Sequence, residues 1–425
     1  MKKILFLTSC MPYPVKNGRH KTLMQYLEFL SLRQDIEIYL YCFEKDPSKF
    51  EQQIEYMLNR YSKIKEIKII ALPNIINSAT NIIKYTLIKK KSIQECFYFN
   101  ISIKNKLWQD VSNIRPNIIF CDMLRTAQYF EDASNKLEQL IILDMDDLLS
   151  LRYRHLLEHN EVNVLGEFSN KIPRIIDVIA NKLIRNIILK YESALLKHRE
   201  KTSVKNFEKV LLVSPFEREK LKQVSKKSNI YSIYPALDIM PVIDIEALKT
   251  PYSLAFMGKL NIPHNEMGLL RFLERIFPRL VSEYPDIILY IIGDKATDAI
   301  KKHQQKWDRN IILTGYLDDF SALLNTTKAF VAPIYFGTGI KTKIIDAMGF
   351  GLPVITTAIG VEGLKVTNNK HIFVANNDDE FLKYVRLVFQ NEQICQDISK
   401  NARDYVNSYH NFDLCKGQFY QLLEI

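Results

Sequence analysis

The sequence predicts an α/β protein built from two Rossmann-like domains, and three observations carry that expectation. Short β-branched apolar runs alternate with amphipathic helical stretches along the chain, the pattern of βα units and mostly parallel sheets. The alternation breaks once, over residues 235–251, where Pro235, Pro241 and Pro251 mark a linker. The length of 425 residues accommodates two or three domains at about 100–200 residues each.

Taken in order, strands are expected at 3–8, 36–42, 66–71, 117–121, 139–144 and 209–213, with helices notably at 19–32, 47–61 and 172–200. The opening MKKILFLTSC carries Leu7-Thr8-Ser9-Cys10, which has the form of a lipobox. Its apolar run, Ile4 to Leu7, falls short of the ~7–15 residues of a signal core, so a buried first strand is the better reading. Past the linker, strands follow at 252–257, 287–292, 310–314, 328–332, 353–357 and 371–375. Helices are expected between and after them, at 264–283, 319–326, 340–350, 378–390 and 393–408. No stretch reaches the ~18 apolar residues of a membrane span. The expected domains are 1–240 and 241–410, without a sequence repeat linking them, followed by a terminal segment 411–425. Ligands of such folds sit beyond the carboxyl ends of strands, here in a cleft between the domains.

Composition narrows the function. The six cysteines form no C-x-x-C pair, which reads as reduced thiols in a cytoplasmic protein and not as a disulfide framework or zinc site. Lys and Arg number 58 against 48 Asp and Glu, a formal charge of +10. Such an excess points to nucleic acid, a membrane surface or anionic substrates. No helix-turn-helix, zinc finger or aromatic-rich RNA-binding signature accompanies it, so nucleic acid is not the expected partner. Two stretches, 63–91 and 182–209, are basic and amphipathic. They read as solvated helix faces or, more sharply, as docking faces for anionic lipid headgroups. Glycine is scarce: 13 in all, two of them (Gly18 and Gly166) before residue 258 and six within 337–363. A chain this sparing keeps glycine where the backbone needs positive φ or close approach to a ligand.

The densest signal is PIYFGTGIKTKIIDAMGFGLPVITT, residues 333–357. A strand leads into a loop with Gly337 and Gly339, and a helix is expected from about Ile340, with Lys341 and Lys343 in its first turn and Asp346 one turn on. Lysines avoid a helix N-terminus, where the macrodipole is already positive. Two of them there point to a bound anion, with backbone N–H groups and ammonium groups converging on phosphate. Asp346 is suited to accept hydrogen bonds from a pair of sugar hydroxyls. Ile340 separates Gly339 from the lysine, so the stretch is not a Walker loop.

This segment resembles the donor-site motif of GT-B glycosyltransferases, specifically the large retaining family 4 (glycosyl transferases group 1), whose subgroup reads approximately G-x-G-x-x-x-K-x-x-E-A-M-A-x-G-x-P-V-V. The resemblance extends along nearly the whole chain. LAFMGKLNIPHNEMGLLRFLERIFPRL (254–280) looks like the opening strand of the family's donor domain, with Gly258 at its end and Lys259 where a phosphate-binding Arg commonly stands. LYIIGDK (289–295), with Gly293, and ILTGYLDDFSALL (312–324) match the next two strands, and the family's nucleobase packs near the Gly315-Tyr316-Leu317 turn. GVEGL (360–364) matches a turn near the donor sugar, which places Glu362 there. SCMPYPVKNGRHKTLMQYLEFL resembles the first βα loop, where Gly18 would let the backbone approach the diphosphate and Arg19 and His20 would face the acceptor.

The resemblance implies a GT-B fold whose two Rossmann-like domains face a central cleft. In it, 1–240 would hold the acceptor, 241–410 the nucleotide-sugar, and 411–425 would form a helix crossing back to the first domain. It implies a retaining, hexosyltransferase-type enzyme without cofactor or metal, using a UDP- or GDP-linked sugar and a glycan or lipid-linked glycan acceptor at the inner face of the plasma membrane. Lys259, Lys343 and Asp346 would serve catalysis; Gly339, Ile340 and Lys341 would join the donor site. Where many relatives have two glutamates eight positions apart, this chain has Thr338 and Asp346, and Lys341 stands where many have Gly. A degenerate, non-catalytic partner subunit and a sugar-nucleotide epimerase are the corresponding alternatives.

LIILDMDDLL (140–149) offers a different chemistry. An apolar strand followed by Asp144-x-Asp146 has the form of a haloacid-dehalogenase phosphatase loop or of a GT-A metal motif. The phosphatase family wants Gly-Thr where Asp147 and Leu148 stand. In the resembled subgroup Asp144 and Asp146 line the acceptor cleft. His155 and His159 are four apart but lack the H-E-x-x-H order, so a surface helix is expected there.

Overall fold

The computed structural model describes residues 1–74, 78, 80–133, 138–158, 182–237, 250–317 and 319–425. Gly166, His159, Pro241 and the expected boundary at 240/241 lie outside the described residues. The chain divides into two compact units, Met1–Tyr234 with Lys416–Ile425, and Pro235–Cys415.

The first unit is built on seven parallel strands: β1 (Lys2–Thr8), β2 (Ile36–Glu44), β3 (Ile64–Ala71), β4 (Ile118–Asp122), β5 (Leu140–Asp144), β6 (Lys209–Leu212) and β7 (Ile230–Ser232). Their spatial order is β3-β2-β1-β4-β5-β6-β7. The inner strands read as unbroken apolar runs because helices cover both faces. Phe6 on β1 stacks on Phe120 of β4 with ring centroids 4.6 Å apart. Strand order reverses between β1 and β4, and the carboxyl ends of these two strands therefore open a crevice at the switch point.

Both basic stretches are solvated in part, with Lys84, Lys89, Lys90, Lys190, Lys197 and Lys201 exposed, and are in part turned inward. Part of the first is strand β3, where Lys68 donates to Asp110 and lies 4.9 Å from the Tyr41 ring centroid. Lys91 is buried and donates to Gln128 and Glu131. In the second, the described helix Lys182–Ser203 buries Glu192, Arg199 and Glu200. Arg199 reaches both carboxylate oxygens of Glu95, the residue that closes a capping box with Ser92 at the start of helix Ile93–Tyr98. Charge in these stretches is spent partly inside the unit, since a buried cation needs a partner. The helix expected from 172 begins, in its described part, at Lys182.

The second unit repeats the design with six parallel strands: β8 (Ser253–Met257), β9 (Ile288–Ile292), β10 (Ile311–Gly315), β11 (Ala329–Ala332), β12 (Val354–Thr356) and β13 (Phe373–Val374). Their order is β10-β9-β8-β11-β12-β13, so the switch point falls between β8 and β11. The long helix expected over 264–283 is interrupted: Pro263–Arg271 passes through a π turn at Phe272–Ile276 before continuing as Phe277–Glu283. Pro278 explains the break, because it lacks the N–H that a continuous helix would use. A Cβ on Gly268 would lie 1.9 Å from the Pro333 carbonyl oxygen. Glycine there lets this helix lie directly against the chain leaving β11.

The last helix, Phe412–Leu423, belongs to the first unit from Lys416 onward. Phe419 stacks on Tyr26 at 4.5 Å, and the Tyr420 hydroxyl donates to the Phe29 carbonyl. Among the described residues no helix is long and apolar enough to cross a membrane.

Candidate functional sites at two strand-end crevices

In the second unit the expected glycines converge at the carboxyl edge of the sheet. Gly258, Gly293 and Gly315 follow or end β8, β9 and β10 with φ of 155°, 152° and 73°. They are laced edge to edge: Gly258 N–H donates to the Ile292 carbonyl and Gly293 N–H to the Gly315 carbonyl. A Cβ on Gly293 would lie 1.9 Å from the Gly258 carbonyl oxygen, so no side chain fits between these two turns. Lys259 directly follows Gly258, and Tyr316 and Leu317 follow β10, with Tyr316 63% exposed. Across the switch point, Gly337 and Gly339 turn the chain with φ of 116° and 71° into the helix Thr342–Gly349. Glu362 sits in the turn 358–363 after β12.

That helix starts two residues later than expected, and Lys341 consequently is not in its first turn. Lys341 keeps non-helical angles, is 7% exposed, and donates to the carbonyls of Thr338 and Gly339 at 3.0 and 2.7 Å. It braces the loop from within, and Ile340 belongs to the loop. Lys343 is in the first turn. Its ammonium donates to Asn265 Oδ1 and lies 4.8 Å from the Phe256 ring centroid. Burial, with Lys341 adding repulsion, pushes this ammonium down to about 7. Asp346, one turn on, is buried at 9% exposure.

In the first unit a second set occupies its own switch point. Helix Gly18–Ser31 follows the β1 loop, capped by the Asn17 side chain, which accepts from His20 N–H. Arg19 reaches back from its first turn to three carboxylates, two at strand ends and one in the loop after β5. Its Nη2 lies 2.5 Å from Asp122 Oδ1 and 2.7 Å from Asp144 Oδ2, and its Nη1 lies 3.2 Å from Asp146 Oδ1. Asp122 and Asp144 end β4 and β5 and are fully buried. Asp122 also accepts from Ser9 N–H and Oγ–H. Asp146 adopts a φ of 63° and donates its N–H to Asp144 Oδ1. Burial opposes the charge of Asp122, but Arg19 and the Ser9 donors outweigh it and hold its carboxyl below the usual range. Burial raises Asp144 against the pull of Arg19, and lifts Asp146 to about 7.

One expectation for this unit changes. Gly18 is the first helical residue, not a loop residue, and a Cβ there would meet nothing within 4 Å. His20 lies in the helix, as the expected span 19–32 implies, with its ring nitrogen Nδ1 2.9 Å from the Pro14 carbonyl. Asp144 and Asp146 share one guanidinium, which is not the arrangement of a phosphatase nucleophile and its acid. Sequence reasoning missed Asp122, although FCD closes its strand as ILD does at Asp144, and it missed Asn265. Among the described residues, no group of three or more His, Cys, Asp or Glu is placed to hold a metal ion.

Comparison with known proteins bears on the fold and on the second unit. Residues 251–391 match the family described as glycosyl transferases group 1. A relative from Klebsiella pneumoniae, a 44.6 kDa protein in the cps region, is 24% identical over 97% of each chain. Among solved structures, Anabaena HepE in complex with UDP and glucose superposes with a TM-score of 0.65 at 14% identity, over 100% of both chains. Sucrose-phosphate synthase from Thermosynechococcus elongatus superposes with a TM-score of 0.66 at 13% identity, over 100% of this chain and 98% of that one. The chain has the GT-B fold, and its residues 251–391 match the glycosyl transferases group 1 family.

Proposed function

We propose that this protein transfers a hexose from a UDP-sugar to a glycan or lipid-linked glycan acceptor, with retention at the anomeric carbon, in bacterial surface polysaccharide assembly. The observation that carries the reading is the converging set of Gly258, Lys259, Gly293, Gly339 and Lys343 at one switch point of the second unit. The demanding step is charge developing on the departing diphosphate. Lys259, Lys343 and the N–H groups at the start of helix Thr342–Gly349 would stabilise it. Asp346 and Glu362 would hold sugar hydroxyls, and Tyr316 and Leu317 the base. HepE in complex with UDP supports the choice of nucleotide, and the cps-region relative supports the pathway class. Arg19, Asp144 and Asp146 would orient the acceptor hydroxyl, and Gly18 leaves room for a ligand beside them. A thermal-shift screen with UDP, GDP and TDP tests the donor assignment: UDP should raise the melting temperature most. A larger response to GDP would replace UDP as the donor nucleotide, and no response to any of the three would sink the donor site.

The acceptor reading places the enzyme at an anionic membrane surface. On the segment 82–90, Ile83 is 66% and Ile88 75% exposed, and Lys84, Lys89 and Lys90 are exposed around them. Apolar side chains rimmed by cations suit an acyl–headgroup boundary. Binding to phosphatidylglycerol vesicles should therefore fall with salt and be lost in Ile83→Glu/Ile88→Glu, while the thermal response to UDP is unchanged. Wild-type protein that does not float with such vesicles would remove the membrane role.

A further inference from the structure

We infer that Asn265 is a positioning residue for the donor diphosphate, its amide fixing the Lys343 ammonium and the Lys259 turn as one anion cradle across the switch point. This rests on the reading above that Lys343 meets the diphosphate. Asn265 lies in the first turn of helix Pro263–Arg271 and is 6% exposed. Its Nδ2 donates to the Lys259 carbonyl at 3.0 Å, and its Oδ1 accepts from Lys343 Nζ. The assignment of the two amide atoms is forced. An ammonium can only donate and a carbonyl can only accept, so oxygen must face Lys343 and nitrogen must face Lys259. The two partners come from opposite sides of the β8/β11 switch point, and the amide couples them.

Gly258 is part of the same device. A Cβ on it would stand 2.8 Å from Asn265 Nδ2, so any side chain at 258 would push the amide off its partners. The choice of an amide over a carboxylate has an electrostatic consequence. An aspartate would pair with Lys343 and neutralise it, whereas an amide oxygen orients the ammonium and leaves its charge for a ligand. The groups packed against Lys343 agree with this. Phe256 on β8 presents a ring and Asn265 a neutral amide, while Lys341, from the turn before the helix, adds positive charge. Among the described residues Lys343 makes no ion pair. A buried ammonium without a counter-ion is costly, and an arriving diphosphate would relieve that cost, which adds to binding strength.

UDP titrations by calorimetry from pH 7 to 9, on the full chain, test the idea with Asn265→Ala, Asn265→Asp and Lys343→Met. Wild-type affinity should fall as pH rises and Lys343 loses its proton. Asn265→Ala should weaken UDP about 10–100-fold, the range typical of losing a group that orients a ligand-binding side chain. Asn265→Asp should also weaken it, yet move the alkaline fall in affinity upward by at least one pH unit, because a carboxylate holds the proton on Lys343. A uniform loss at every pH in both Asn265 variants, with no shift of that fall in Asn265→Asp, is what a merely structural residue would give, and it would overturn the inference. If Lys343→Met abolishes UDP binding while the Asn265 variants bind like wild type, the positioning role fails and the donor reading stands. Undiminished binding in Lys343→Met would instead overturn the donor reading.

Discussion

Replacing Lys343 with Met should cost about 10²–10³-fold in kcat/KM, the scale of losing one charge-stabilising donor at a transition state, while making the ligand-free protein more stable. The two effects share one cause. The Lys343 ammonium sits against a ring and an amide, and burial holds it down at about 7. Its ordinary value, and that of the unfolded chain, is near 10.4. The unfolded state therefore binds the extra proton between about pH 7 and pH 10, and folded stability rises with pH across that window. Methionine fills a similar volume without charge and should remove this slope. The gain at pH 7 should be roughly 1–3 kcal/mol, less than the full shift at ~1.4 kcal/mol per unit, because the side chain is partly open to water. That corresponds to a rise of several degrees in melting temperature. Scanning calorimetry at pH 6.5 and 8.5, with and without UDP, checks it. The ranking should invert with UDP, which stabilises wild type and not the variant. A Lys343→Met protein that melts lower than wild type and still responds to UDP would sink the account.

The alternation of apolar runs and amphipathic stretches is enough to locate twelve of the thirteen strands among the described residues, because each inner strand is covered on both faces and reads as an apolar block. The exception is β7, three residues at the sheet edge with an exposed Tyr231, where burial is too slight to leave a pattern. The glycines at the strand ends and loops of the second unit were legible because their positive φ is costly for any other residue. Lys341 and Lys343 show the limit of that legibility. They are two positions apart in one motif, yet a two-residue difference in where the helix begins sends one ammonium to loop carbonyls and the other to Asn265. Periodicity cannot resolve helix ends to that precision. Asn265 and Asp122 were invisible for a different reason: each acts through partners distant in sequence, and nothing local distinguishes them from ordinary polar residues.

Arg19→Ala should destabilise the protein by about 3–5 kcal/mol, the usual result of removing one member of a buried ionic group. The arginine holds Asp122 and Asp144, both fully buried, and reaches Asp146 as well. Without it, three carboxylates lose the one guanidinium they share, leaving Arg125 near Asp122 and Arg152 near Asp146 as weaker counter-charges. The pH dependence identifies the mechanism. In wild type the Asp122 carboxyl lies below its unfolded value, so its contribution is complete at neutral pH and is lost as pH falls through its folded pKa. Asp146, lifted to about 7, acts in the opposite sense: it costs stability above that pH and is relieved between about 7 and 4. Removing Arg19 moves Asp122 into the second class, since burial then acts on it without its main counter-charge. The variant should therefore gain stability on going from pH 8 to pH 5, by more than wild type does. Arg19→Lys should fall between the two, because a point charge cannot reach three carboxylates as a guanidinium fork does. Urea denaturation at pH 8, 6.5 and 5 measures all three proteins. Equal destabilisation of Arg19→Ala at every pH would show that lost packing, not unpaired carboxylates, sets the cost.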